Sequence, residues 1–183
     1  SREPLETGRK LYEAVLSRMS YDKTEPGWGE GDTRRACRVG RGNCTDFHSL
    51  FLSLAMARGL PARFLMGVPV SDSRAQELGR DYHCWAEFYA APLGWVPVDI
   101  SQAWKTGKKD DGTYPTYPMC LLRFKNATPA RNLTSVVFME AFPAGGSATA
   151  SAAWDGRILT VTRGARCWTL RRVGRGFRVC GNG

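Results

Sequence analysis

The chain has 183 residues and a mass of 20.3 kDa, with 43% apolar and 11% aromatic residues. That is enough to bury the core of an ordinary globular domain, which excludes a short peptide, a collagen and a wholly disordered tail. The formal charge of +9 is unevenly placed: residues 1–111 hold 16 Lys and Arg against 15 Asp and Glu, and residues 112–183 hold 10 against 2, so a basic surface for an anionic partner is expected only in the C-terminal part.

The opening Ser1-Arg2-Glu3-Pro4 is neither an initiator Met nor a basic start followed by an apolar run, so no signal peptide is expected within these residues. Residues 5–19 place Leu5, Leu11, Ala14, Val15 and Met19 near helical spacing with charged residues between them, which predicts one amphipathic helix. The stretch from Pro26 to Asn43, with Gly27, Gly29, Gly31, Gly40 and Gly42, reads as loop. From Cys44 to Arg58 the apolar residues Phe47, Leu50, Phe51, Leu54 and Ala55 recur at helical spacing, and Gly59 and Pro61 supply the stop, so a buried central helix is expected. Its densest apolar run, Leu50 to Ala57, falls far short of the roughly 18 apolar residues of a bilayer span. No membrane span is expected, and the chain reads as a soluble, cytoplasmic protein, with a periplasmic or secreted location as the alternative.

Strands are predicted at Ala62–Val70, Tyr82–Tyr89 and Trp95–Ile100, the last two forming an antiparallel hairpin across Ala91-Pro92-Leu93-Gly94. Opposed residues in such a hairpin have a constant number sum of about 184 to 186, which sets Asp99 opposite Trp85 or Glu87 and diagonal to His83. Beyond Asp111, Thr134–Phe142 and Arg157–Thr162 are further candidate strands, separated by the small-residue run 145–151. The expected organisation is a core over residues 1–111 and a basic segment over 112–183. That segment completes the sheet, is an appended module, or is an out-of-frame translation of G+C-rich DNA.

Chemistry gathers in three places. Gly42-Asn43-Cys44-Thr45-Asp46 delivers a Cys onto the first turn of an apolar helix, where unpaired backbone N–H groups and the positive end of the helix dipole favour a thiolate. A nucleophilic Cys needs a base, and the chain has two His. His48, one turn along the same helix, is expected to point away from a substrate at the N-terminus and reads as packing or a helix hydrogen bond. His83, at the start of a strand, is the candidate general base. Asp99 ends an apolar strand, and a buried carboxylate there is suited to fixing the tautomer of a neighbouring His. A plain strand-end cap into Ser101-Gln102-Ala103 is its bland alternative.

The motifs GNCTDFHSLFLSLAMARGLPARF, DYHCWAEFY and GWVPVDIS, in this order and spacing, resemble the transglutaminase-like superfamily. This papain-related group of thiol enzymes includes transglutaminases, peptide N-glycanases and many bacterial peptidase-like proteins. The resemblance spans about residues 8–105. It implies an α+β papain-related fold, a helix bearing Cys44 packed on an antiparallel sheet bearing His83 and Asp99, with Cys44 as nucleophile, His83 as base then acid, and Asp99 as orienting carboxylate. It also implies an oxyanion hole formed by the backbone N–H at Cys44 and an upstream side chain, Trp28 or Asn43, with Trp85 a further candidate contact to substrate. The expected activity is cysteine-protease-type hydrolysis of an amide through a thioester. Glutamine transamidation or deamidation by the same triad, or an inactive interaction module, are the alternatives. A peptide or protein amide is the expected substrate, and no cofactor is expected.

A zinc site built from Cys37, Cys44, His48, His83 and Cys84 is disfavoured because no CxxC or HxxxH pair occurs. Nucleic acid is not an expected partner, since the arginines from Arg163 to Arg178 are accompanied by no nucleic-acid motif.

Overall fold

The computed structural model describes residues 3–69, 76–77, 82–107, 110, 117–122, 133–139, 151–154, 158–163, 166–173 and 176–182, with side chains over 3–67, 82–107 and 110. The elements in chain order are α1 (Glu3–Arg18), β1 (Ser20–Tyr21), α2 (Thr33–Val39), β2 (Arg41–Gly42), α3 (Cys44–Ala57), β3 (Ala62–Pro69), β4 (Gln76–Glu77), β5 (His83–Ala90), β6 (Gly94–Val98) and α4 (Ile100–Thr106), then β7 (Tyr117–Leu122), β8 (Leu133–Met139), β9 (Ser151–Trp154), β10 (Ile158–Arg163), β11 (Arg166–Val173) and β12 (Gly176–Asn182). They fall into two compact units, Ser1–Leu65 with Cys84–Thr116 and Met139–Ser147, and Met66–His83 with Tyr117–Phe138 and Ala148–Gly183.

In the first unit α3 is the central helix, packed against α1, α2 and α4. Its inward stripe, Phe47, Leu50, Phe51 and Ala55, joins Tyr12 and Val15 of α1 and Ala86, Phe88, Val96 and Val98 of the hairpin in one buried cluster. The hairpin pairs Ala86 with Val98, Phe88 with Val96 and Tyr89 with Trp95. These pairs have a constant sum of 184, inside the expected range, and continue to Asp99 opposite Trp85. Alternation along β5 turns Ala86, Phe88 and Ala90 into the cluster. On the opposite face Glu87 takes the guanidinium of Arg63 at 2.6 Å, and Arg63 stacks over Trp95 at 4.1 Å.

Two helices replace segments expected to be loop or strand. Arg34-Arg35-Ala36-Cys37, within the expected loop, lies in α2, held by its ends: the Asp32 carboxylate accepts from the N–H groups of Arg34 and Arg35, and Gly40 closes the helix in the left-handed conformation. The strand expected to reach Ile100 stops at Val98, because Asp99 caps α4.

In the second unit the end of β3 pairs antiparallel with β7, Gly67 opposite Leu121. Strands β9 to β12 form an antiparallel meander, with β4 added at the β12 edge. The expected strands at Thr134–Phe142 and Arg157–Thr162 correspond to β8 and β10. The run 145–150 lies outside the described residues, and Ser151 opens β9.

Candidate thiol site

Cys44 is the first residue of α3, and the local sequence explains why the helix begins there. Asn43 is the N-cap: its side-chain oxygen accepts the Thr45 N–H at 2.9 Å, while Asp46 Oδ2 accepts the Asn43 N–H at 2.9 Å, a reciprocal capping box. The same Asp46 oxygen accepts the Gly29 N–H at 2.7 Å, tying the glycine loop to the helix start. Gly42 lies so close to Asp46 that a Cβ would overlap the carboxylate, and Gly29, at φ +81°, would drive one against Asn43 Nδ2. These glycines are required by the close approach of loop and helix.

Strand β1 runs parallel to β2, with Tyr21 beside Gly42, which brings the Tyr21 ring to the thiol. Its phenol is pushed up to about 12, first by burial and then by its acidic neighbours, Cys44 foremost. Lys105, from the last turn of α4, sets its ammonium 3.8 Å from the Tyr21 ring centre. Burial holds the Lys105 ammonium below its ordinary range, while Cys44 and Asp99 pull the other way.

Asp99 is fully buried. Its Oδ1 accepts from the Gln102 N–H at 3.0 Å and the Ser101 hydroxyl at 3.1 Å, so the cap noted as the bland alternative is present. His48, expected to stand apart from the site, instead reaches into it: its Nε2 is 3.5 Å from Asp99 Oδ1, with both side chains fully buried. That contact is not an ion pair. The Ile100 N–H donates to Nε2 at 3.1 Å, which uses the lone pair of that nitrogen, and the hydrogen of a neutral ring then sits on Nδ1. Nδ1 faces Cys84 Sγ at 3.8 Å. Cys84 is 2% exposed, and its thiol is pushed up first by Cys44 and then by burial.

The first unit therefore brings together Cys44, Cys84, His48, Asp99, Tyr21 and Lys105. His83, half-buried at the start of β5, falls in the second unit. Trp28 is 40% exposed, with the Lys23 ammonium 5.2 Å from its ring. Asn43 is committed to the cap through its oxygen. Trp85 is fully buried, with an indole N–H that lacks a partner among the described residues. Sequence reasoning missed Cys84, Tyr21 and Lys105 as neighbours of the thiol. For His48 a signal existed in its i+4 spacing from Cys44, which places both on one face of the helix. Cys37, Cys44 and Cys84 are not disulfide-bonded, and no helix among the described residues is long and apolar enough to cross a membrane.

Residues 1–100 match the Transglutaminase-like superfamily. An uncharacterized protein of Haemophilus influenzae is 32% identical over 123 residues, covering 56% of this chain and 33% of its own length. Two solved structures are each 13% identical. One, described as a "putative cysteine protease" from Cytophaga hutchinsonii, has a TM-score of 0.47 and covers 96% of this chain and 51% of its own. The other, a "putative protease" from Parabacteroides distasonis, has a TM-score of 0.36 and covers 97% and 45%. The chain thus spans a third of the curated relative and about half of each solved chain. With a capped helix start bearing Cys44 and a family match over residues 1–100, the chain belongs to the transglutaminase-like superfamily of thiol enzymes.

Proposed function

We propose that the chain carries out thiol-dependent acyl transfer at amide bonds, with hydrolysis as the outcome. The observation that carries the reading is the placement of Cys44 as the first residue of a capped, buried helix, where an anion is favoured. In the proposed cycle the Cys44 thiolate attacks the amide carbonyl carbon, and the oxygen takes the electron pair. The His83 imidazolium then gives its proton to the departing amine as the C–N bond breaks, which leaves a thioester on Cys44. His83 next removes a proton from water, whose oxygen attacks the thioester and releases the acid and the thiolate. Asp99 orients His83. The N–H at Cys44 supports the oxyanion, with Asn43 Nδ2 or Trp28 Nε1 as the second donor.

An acyl-trapping peptide electrophile followed by intact-mass analysis tests the reading. Wild type should gain one adduct mapped to Cys44, Cys44→Ala none, and His83→Ala should react about 10² to 10⁴ times more slowly. Failure of wild type to acylate across a broad peptide library would refute the proposal. Release of acid in the presence of a primary amine supports hydrolysis, and incorporation of the amine would assign transamidation to the same thioester.

A further inference from the structure

The proposed cycle balances its own charges, since the Cys44 thiolate is offset by the His83 imidazolium. Two further cations stand near the start of α3 without a part in it. Strand β1 holds Tyr21 beside Gly42, and the bond from the Gly29 N–H to Asp46 at 2.7 Å ties the neighbouring Trp28 to the same helix start. Lys105 sets its ammonium 3.8 Å from the centre of the Tyr21 ring. Lys23 sets its own 5.8 Å from that ring and 5.2 Å from the ring of Trp28. Two aromatic rings and two ammonium groups thus form one cluster at the thiol-bearing end of α3.

The carboxylates of the surrounding elements are engaged elsewhere. Asp22 and Glu25 face the Arg41 guanidinium at 3.6 and 4.0 Å, and Asp22 also accepts from Thr24. Glu30 turns toward Gly27, where the Arg35 guanidinium also lies. Asp46 and Asp99 are fully buried and accept backbone N–H groups. Among the described residues, neither Lys23 nor Lys105 is within ion-pair distance of a carboxylate. Both are exposed, yet the Lys105 ammonium, set against the Tyr21 ring, is desolvated enough to lie below the ordinary lysine range. An arriving carboxylate would offset that desolvation.

We propose that Lys23 and Lys105 recognise a carboxylate carried by the substrate beside the amide that Cys44 attacks, with the rings of Tyr21 and Trp28 covering the apolar atoms next to it. The inference rests on the reading of Cys44 as nucleophile, and it names an acidic peptide as the substrate class. A peptide supplies such a charge from an Asp or Glu side chain or from its C-terminus. Two ammonium groups with carboxylates interspersed do not make the continuous basic stripe that a nucleic acid requires.

The first test compares iodoacetate with iodoacetamide, two reagents that differ chiefly in charge, by their rates at Cys44 in the whole, reduced chain at neutral pH. The ratio of the two rates cancels any change in thiolate population, which slows both alike. Lys23→Gln combined with Lys105→Gln should lower the iodoacetate-to-iodoacetamide ratio about fivefold, Lys23→Arg combined with Lys105→Arg should keep it, and added salt should lower it in wild type. An unchanged ratio in the glutamine variant overturns the inference, as does an equal fall in the arginine variant, which would mark a packing role. Matched peptide electrophiles with Glu or Gln beside the trapping group, each as C-terminal acid and as amide, then identify the source of the charge. A lysine-dependent preference for Glu assigns a side-chain carboxylate, and one for the free acid assigns the terminus. Equal acylation by all four peptides would overturn the inference and leave the proposed acyl transfer standing. A lysine-dependent iodoacetate ratio in a protein that acylates with none of them would sink the proposed function and keep the carboxylate site.

Discussion

Three thiols in the first unit differ in surroundings, and reactivity should follow those surroundings rather than exposure alone. Cys37 is exposed, Cys44 half-buried and Cys84 buried. Only Cys44 combines access with a helix N-terminus. Iodoacetamide at neutral pH should therefore label Cys44 first, Cys37 later and Cys84 only on unfolding, and peptide mapping of a labelling time course reads that order. Faster labelling at Cys37 would contradict the electrostatics argued for the helix start. Tyr21 gives a second check. It keeps its proton to about 12, whereas an unfolded tyrosine loses it near 10. Between those values the folded chain binds more protons than the unfolded one, so this residue makes stability fall as pH rises. The difference in tyrosinate absorbance between wild type and Tyr21→Phe should titrate near 12, and the variant should lose that part of the alkaline stability decline. At this scale the sequence showed Cys44 through its turn and helix, and the place of Asp99 through hairpin arithmetic. Tyr21 and Lys105 were hidden because a parallel β1–β2 pairing and the run of α4 bring them in, and neither leaves a local pattern.

The start of α3 concentrates several bonds in a few residues. Asn43→Ala removes the acceptor for the Thr45 N–H and should cost about 1 kcal/mol in chemical denaturation, with Cys44 labelling slowed because the first turn frays. The opposite end of α3 needs no such device, since Gly59 and Pro61 stop it. A different constraint ties α1 to the sheet. Gly8 sits in mid-helix, where Ala would ordinarily stabilise by about 1 kcal/mol. Here an added Cβ would run into the Phe88 ring, which is fully buried and packed 6.1 Å from Phe51. Gly8→Ala should therefore destabilise by about 1 to 3 kcal/mol, and a raised melting temperature in that variant would show that the ring yields. Long elements with strong periodicity were legible, α3 to within one residue of its predicted end. The short helices were not: α2 has seven residues and is held by Asp32 and Gly40 at its ends, so its signal lay in caps rather than in an apolar stripe. α4 began inside a segment whose β-branched residues favour strand.

Charge and periodicity both change near Asp111, yet the chain is not divided there in space. Residues Met66–His83 belong with Tyr117–Phe138 and Ala148–Gly183, because β3 ends on β7 and β4 ends on β12. Sequence alone could not reveal this, since partners some 50 to 100 residues apart leave no periodic trace. The consequence is asymmetric. Removing residues 112–183 leaves Gly67 and Val68 of β3 and Gln76 and Glu77 of β4 without the partners they have in the whole chain, and unpaired strand edges exchange, are cleaved and aggregate. Among the described side chains, those of the buried cluster around α3 all come before Gly107, and a unit's protection follows its own apolar contacts. In a chain ending at residue 111, amide exchange at residues 67, 68, 76 and 77 should accelerate and protease cuts should concentrate between 66 and 83. Amides in the middle of α3 and along β5 and β6 should keep most of their protection, and Cys44 should still label ahead of Cys37. Exchange that accelerates equally in α3 would mean that the strands after residue 117 are required to fold the thiol-bearing unit itself.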